Sequence, residues 1–356
     1  MKRISTLDGL RAFSIIMVIL AHAAPTIPST ISQNILFHYL ANSHLGVRIF
    51  FVISGYLITK LLLAERAVNG FVNIKQFYIK RAFRIFPVFY LYILVIIGIK
   101  VFFISDIFLE YLTPIFAGFY LWNYKQLIYM GIPDSHGGWF FGHFWTLAME
   151  EQFYLIWPLI FNKFKFDFLK KLVVIAICFM PILRILTYLL MPNSRGQIAM
   201  MLHTGGDTIL IGCLGALMET TGTFTTILKF AQKKLTIIFA LTFMLLLSPI
   251  LASKFGGGYT LSLGISLNNL CIMLFIYYSI YTNGIIYKLL SNKFLIQIGL
   301  ISYSIYIWQQ LFLNNIYQFW FNLFPQNIFI VFIIGFISYY CIEKPILSFR
   351  RKFISS

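Results

Sequence analysis

About ten apolar runs, most of them near the roughly 20 residues that a helix needs to cross a bilayer, dominate this sequence. They lie near residues 7–24, 44–64, 84–104, 145–161, 170–190, 205–219, 234–251, 263–282, 297–319 and 326–345. The chain is 60% hydrophobic and 11% charged, which is too apolar for one aqueous core. The sequence therefore predicts an all-α, polytopic membrane protein with about ten transmembrane helices. A further apolar segment, 109–122, is predicted to be interfacial or re-entrant.

The positive charge of the chain predicts its orientation. The formal net charge is +17, but the basic residues fall between the apolar runs instead of forming one stripe. If the N-terminus is inside, most of the 28 Lys and Arg residues lie in cytoplasmic segments, including Lys2 and Arg3. The outer segments then hold only Lys125, Arg195 and Lys254. Because basic residues are retained on the cytoplasmic side, both termini are predicted to be cytoplasmic.

The start of the chain also has features of a cleavable secretory signal, with basic residues before an apolar stretch. Asp8 and Arg11 interrupt that stretch and favour a retained first helix.

No internal repeat, long linker or appended soluble domain is found in the sequence, which predicts one membrane domain over 1–356. The cysteines are isolated in apolar segments, so neither a disulfide nor a metal site is predicted. They are Cys178, Cys213, Cys271 and Cys341.

Two ionisable residues in the first helix are candidates for a functional site. Arg11 and His22 are eleven positions apart, and eleven steps of about 100° return to within about 20° of the same helix face. Asp8 lies close to the same stripe. Ionisable side chains within membrane helices are costly, so this stripe favours a polar conduit inside the bundle. The alternative is that Arg11 extends to the inner headgroups and His22 is an interfacial residue.

The segment that contains this stripe, LDGLRAFSIIMVILAH, resembles the first-helix signature of the acyltransferase 3 family of integral membrane O-acyltransferases. Further segments resemble that family in the same order along the chain. They are GVRIFFVISGYLIT at 46–59, YIKRAFRIFPVFY at 78–90, GHFWTLAMEEQFYLIWPL at 142–159, DTILIGCLGAL at 207–217, ISYSIYIWQQ at 301–310 and CIEKPI at 341–346. Together these segments span nearly the whole chain.

The resemblance implies transfer of an acyl group, usually acetyl from cytoplasmic acetyl-CoA, to a hydroxyl of a cell-surface or lipid-linked sugar. Acyl-CoA would be a donor substrate, and no cofactor would be permanently bound. His22 would be the general base or a transient acyl carrier. Arg11 would belong to the catalytic set and to the donor site, while Arg81 and Arg84 would clamp the CoA phosphates. Anchoring at the inner membrane surface is the alternative role for these two arginines.

Other polar residues in the matching segments are weaker candidates. Glu150 would orient His22 or hold the acceptor, unless it is an interfacial carboxylate. Hydrogen bonds to substrate would come from five further residues, each of which alone is more often a contact between helices. These are Ser54, Tyr56, His143, Tyr303 and Gln309. Many relatives carry His at the position of Gln309, and an acid at that of Arg48. Asp207 and Glu343 are predicted to act in packing or capping.

A transporter or flippase for sugars or lipids is the alternative function, because buried charges and many helices also describe transporters. The expected partners are acyl-CoA, a glycan acceptor and the lipid bilayer, with no nucleic acid. The expected location is the bacterial cytoplasmic membrane.

Overall fold

A computed structural model describes residues 3–128 and 135–355 of the chain. Within these two ranges the regular structure is helical and contains no strand, so the predicted all-α class is confirmed. Lys2, which was counted in the predicted charge bias, lies outside the described residues.

The principal helices follow the apolar runs. They are α1 (Ser5–Ala23), α2 (Ser43–Asn69), α3 (Ile74–Phe102), α4 (Phe144–Lys163), α5 (Phe166–Leu190), α6 (Asp207–Met218), α7 (Lys234–Tyr281), α8 (Lys293–Phe312) and α9 (Gln326–Arg350). Short helices in the connections include Leu112–Gly118, in the segment predicted to be interfacial or re-entrant, and Ser135–Gly142 before α4.

By length and composition, six helices among the described residues could cross a membrane, which is fewer than the ten predicted. The runs 234–251 and 263–282 both lie in α7, which is interrupted at Gly256 (φ 53°) so that its first and last parts pack on each other. The run 205–219 forms only the 12-residue helix α6. Helices α4 and α8 are less apolar, because Glu and Gln residues interrupt them. The multi-pass membrane architecture stands, whereas the count of ten spans is not confirmed.

The chain forms two compact units, which are described separately. Unit 1 comprises Met1–Ser14, His44–Val72 and Gln152–Gly299, and unit 2 comprises Ile15–Ser43, Asn73–Glu151 and Leu300–Ser356. A Cβ atom on Gly55 of α2 would meet the Ile209 carbonyl oxygen, and one on Gly212 of α6 would meet the Val52 carbonyl oxygen, in each case at 2.0 Å. Glycine at these two positions therefore allows the backbones of α2 and α6 to touch in unit 1.

Unit 1 also contains a fully buried ion pair. Arg184 of α5 donates from one guanidinium nitrogen to both carboxylate oxygens of Asp207 at 3.0 Å, and both side chains are 0% exposed. Ser266 of α7 donates to Asp207 at 2.6 Å and accepts from Arg184 at 2.7 Å. This network joins α5, α6 and α7. Asp207 is therefore a packing residue, as predicted, although its partner was not foreseen.

Unit 2 has an aromatic core. Rings from α3, α4 and α8 pack together, including Phe89, Tyr92, Phe144 and Trp308. The Tyr92 hydroxyl donates to the backbone carbonyl of Phe140 at 2.7 Å, which fixes the short helix before α4. This core supports the polar residues described below.

We expect Asp207→Asn to destabilise the protein by about 3–5 kcal/mol, because it leaves the Arg184 guanidinium buried without its counter-ion. The measurement is the melting temperature of the purified protein in one detergent. The matched control is Asp167→Asn, whose side chain is 91% exposed and pairs with Lys170 on the helix surface. Equal melting temperatures for the two variants would contradict the role assigned to the buried pair.

Candidate active site

His22 lies one residue before the end of α1, in unit 2, and is partly buried. Its Nδ1 is 3.1 Å from the amide oxygen of Gln309 on α8. The Trp139 ring meets the imidazole edge-on, with ring centroids 6.0 Å apart. The Trp139 indole nitrogen donates to the Gln310 carbonyl at 2.8 Å, so the tryptophan is itself tied to α8. The imidazole is thus held from two sides.

The bond to Gln309 determines which nitrogen of His22 can act as a base. An amide oxygen only accepts hydrogen bonds, so Nδ1 carries the hydrogen and donates. The lone pair is then on Nε2, and this neutral tautomer is the form that can take a proton from a hydroxyl group. The sequence did not point to this contact between Gln309 and His22, and the role expected of Glu150, to orient His22 or hold the acceptor, stays a prediction.

A second imidazole, that of His143, belongs to the same unit and interacts electrostatically with His22. His143 is buried, and its Nε2 lies 3.1 Å from the Ile307 carbonyl. Within residues 3–128 and 135–355, neither Nδ1 of His143 nor Nε2 of Gln309 has a hydrogen-bond partner. Buried polar atoms nearly always have partners, so these two atoms are exceptions to the usual pairing.

Two hydroxyl groups position α4 beside these residues. The Tyr306 hydroxyl donates to the His143 carbonyl at 3.0 Å, and the Thr146 hydroxyl lies 2.8 Å from the Tyr306 oxygen. Both side chains are buried. The first turn of α4 is therefore fixed against α8, which sets the direction of the carboxylates that follow. We use the name His22 cluster for His22, Trp139, His143, Tyr306 and Gln309.

The adjacent carboxylates of α4 face different neighbours, as their separation of about 100° predicts. Glu150 interacts electrostatically with Tyr306 of the His22 cluster. Glu151 interacts with Arg81 of α3. Both side chains are partly buried. Glu150 thus acts on Tyr306 and Glu151 on Arg81. The two carboxylates also act on each other and on Tyr303 of α8.

The paired arginines were predicted at the start of the third helix, and this placement was wrong. Helix α3 begins at Ile74, where the Asn73 side chain accepts from the Gln76 amide at 3.0 Å, so Arg81 and Arg84 lie within the helix. The apolar run starts later than the helix because the first turns of α3 are amphipathic.

Both arginines have neighbours inside unit 2. The Arg81 guanidinium lies 5.8 Å from the centre of the Phe77 ring. Arg84 interacts electrostatically with Tyr303, whose hydroxyl donates to the Ile85 carbonyl at 2.6 Å. The Tyr303 hydroxyl therefore fastens α8 to α3 next to the arginine pair.

Three predicted site residues, Arg11, Ser54 and Tyr56, belong to unit 1. Arg11 and Ser54 are partly buried, on α1 and α2. The Tyr56 hydroxyl donates to Glu219 at 2.6 Å, and Lys60 pairs with the same carboxylate at 2.5 Å. The presence of a hydroxyl group at Tyr56 is therefore explained by its bond to Glu219, without a role in substrate binding. The unbroken helix Ser5–Ala23 keeps Arg11 and His22 on one helical stripe, as their spacing predicts.

A largely apolar cavity of about 370 Å³ lies in unit 2. Its lining includes Phe140, which follows Trp139, and Leu311, which follows Gln310. Tyr317, Phe319 and Phe321 add aromatic rings to its wall. The cavity is therefore lined by a residue next to Trp139 and by a residue two positions after Gln309, the two side chains that contact His22.

The chain is similar in sequence to known acyltransferases. A sequence model of an acyltransferase domain matches residues 4–342. The O-acetyltransferase OatA of Staphylococcus aureus (strain NCTC 8325 / PS 47) is 27% identical over 97% of this chain, which covers 57% of that relative. The peptidoglycan O-acetyltransferase OatA of Listeria monocytogenes is 35% identical over 44% of this chain and 24% of its own length. The chain thus spans little more than half of these relatives at most. No solved structure gives a significant match.

We expect Tyr56→Phe to lower the stability of the protein by about 1.5–3 kcal/mol, because Glu219 loses a buried hydrogen bond. The measurement is thermal unfolding in detergent. The control is Tyr188→Phe, whose ring contacts Arg195 through its face and whose side chain is 40% exposed. If Tyr56→Phe unfolds at the same temperature as wild type, the tyrosine hydroxyl is not a packing group and its predicted role in substrate binding gains weight.

Proposed function

Because the chain belongs to the acyltransferase 3 family, we propose that it is a membrane O-acyltransferase that moves an acyl group, most simply acetyl, from cytoplasmic acyl-CoA to a sugar hydroxyl. The acceptor is a cell-surface or lipid-linked glycan. The names of the two OatA relatives support O-acetyl transfer. The observation that carries the proposal is the bond between His22 Nδ1 and Gln309, which leaves a basic nitrogen on a partly buried imidazole.

The reaction follows from that tautomer. The acceptor hydroxyl transfers its proton to His22 Nε2 as its oxygen attacks the thioester carbonyl. Collapse of the tetrahedral intermediate breaks the carbon–sulfur bond, and the CoA sulfur leaves with the proton held by His22. The Nδ1 hydrogen bond to Gln309 persists throughout and keeps the ring in place. A transient acyl-histidine is the second route, in which Nε2 itself attacks the thioester.

The unpartnered amide nitrogen of Gln309 suits a second task. It is a buried donor on the same side chain that orients His22. It can therefore donate to a polar group of the substrate, and we place the acceptor hydroxyl near His143.

The donor would be bound by the arginines. Arg81 and Arg84 are three residues apart on α3, which suits two contacts to the phosphates of CoA. Glu151 would hold Arg81 in the absence of donor. Arg11 would contribute on α1, and Glu150 and Tyr303 would line the substrate path. The protein would lie in the bacterial cytoplasmic membrane with both termini inside.

The largely apolar cavity in unit 2 supports the lipid-linked form of the acceptor. Its walls offer few polar atoms for a free sugar, whereas they suit a hydrocarbon segment. Asn314 and Asn322 also line it and could meet the polar end of such a molecule.

We expect His22→Ala to reduce acetyl transfer at least about 100-fold, because general-base catalysis by a positioned side chain contributes about 10²–10⁴. The assay follows label from acetyl-CoA into membrane glycan and measures free CoA in parallel. His38→Ala is the matched control, since His38 is exposed in the same unit. Wild-type protein that releases no CoA under any glycan condition would overturn the acyltransferase proposal and favour a transporter.

Substitutions of Gln309 test whether this residue orients the His22 ring or only fills space between helices. We expect Gln309→Leu to reduce kcat about 10- to 100-fold, since His22 loses the acceptor of its Nδ1 hydrogen. Gln309→Glu should keep more activity than Gln309→Leu, because a carboxylate still accepts that hydrogen. Equal activities of the two variants, with both folded as judged by size-exclusion profile, would exclude the orienting role.

A further inference from the structure

Unit 1 contains charged groups that the proposed reaction does not use. Arg184 and Asp207 are sealed from solvent, and the Arg184 guanidinium also donates to the carbonyls of Leu261 and Thr204 at 2.7 and 3.1 Å. With the bonds to Asp207 and Ser266, each of the three guanidinium nitrogens of Arg184 has at least one acceptor. Both oxygens of the Asp207 carboxylate accept hydrogen bonds, and Ser266 donates to one of them.

Arg48 is a second arginine whose charge acts on this buried pair. It is the sixth residue of α2 and interacts electrostatically with both Asp207 and Arg184. In the two ranges of the chain that the structure describes, no hydrogen bond or ion pair is formed by the Arg48 guanidinium. Arg48 is partly exposed, in contrast to Arg184. Of the two arginines, Arg48 is therefore the one without a hydrogen bond to a described residue and the one with some exposed surface.

The charges of this cluster do not cancel. Two guanidinium groups face one carboxylate, and Arg184 occupies both of its oxygens. A charged side chain within a membrane helix normally pairs with another group, or marks a site for a ligand or ion. Asp207 reduces the repulsion between the two arginines but offers Arg48 no hydrogen bond.

We propose that Arg48 binds an oxyanion, a phosphate or carboxylate group, in unit 1. The planar guanidinium can donate two parallel hydrogen bonds to such a group, and the excess positive charge of the cluster favours it. Arg184, held by five hydrogen bonds to four residues, supplies long-range attraction without direct contact. The oxyanion belongs either to the headgroup of an anionic lipid or to a soluble ligand.

The test uses the full chain, purified and placed in nanodiscs. Wild type, Arg48→Gln and Lys254→Gln are compared by melting temperature in phosphatidylcholine discs with and without inorganic phosphate, at constant ionic strength, and in discs that contain phosphatidylglycerol. Lys254 is the control because it is an exposed cation of the same unit that contacts only a neighbouring ring. Stabilisation by phosphate indicates a soluble oxyanion, and stabilisation by phosphatidylglycerol alone indicates a lipid headgroup.

We expect one of these additions to stabilise wild type and Lys254→Gln, with binding weakened about tenfold or more in Arg48→Gln, which corresponds to the loss of one charge-assisted pair. Without anion, Arg48→Gln should be no less stable than wild type, because it removes an uncompensated charge. No stabilisation of wild type by either addition would overturn the proposal, even if the variant fails to fold. An equal loss of response in Lys254→Gln would overturn it too, since binding would then reflect general surface charge.

Discussion

The solvent around this chain is hydrocarbon, and the rest of the structure depends on the requirement that polar groups find partners inside the protein. The backbone meets this requirement by forming helices throughout the described ranges. Among side chains, Arg184 meets it most completely, with hydrogen bonds to two carbonyls, one carboxylate and one hydroxyl. Against that background a polar atom without a partner is informative. The amide nitrogen of Gln309 is one of several such buried atoms in the described ranges, and the guanidinium of Arg48 also makes no hydrogen bond there.

Two of the helices that contribute to the site are not apolar enough to count as membrane spans. Helix α4 contains Glu150 and Glu151, α8 contains Gln309 and Gln310, and each helix has the length of a span but not the hydropathy. These residues weaken partition into lipid, so the surrounding aromatic core of unit 2 must hold the helices in place. The Glu and Gln residues of α4 and α8 therefore both lower the hydropathy of these helices and supply polar side chains to the candidate site.

Much of the fold could be predicted from the sequence, because apolar length and helical periodicity are local properties. The positions of the main helices and the stripe shared by Arg11 and His22 follow from them. Contacts between residues that are far apart in the chain cannot be predicted from local properties. The bond between His22 and Gln309, for example, joins residues 287 positions apart. Trp139 was missed for the same reason. The arginines of α3 were misplaced because the amphipathic start of that helix is not apolar.

The identity of the residue that orients His22 bears on the route of the proposed reaction. Gln309 fixes the imidazole through a neutral amide, which supplies direction but no charge. In direct transfer the imidazole is cationic only briefly, between the two proton movements. An acylated imidazole that keeps its Nδ1 hydrogen would be cationic for the whole lifetime of the intermediate, and Gln309 would stabilise it less than a carboxylate would. The chemistry of this side chain therefore favours direct transfer, with His22 as base.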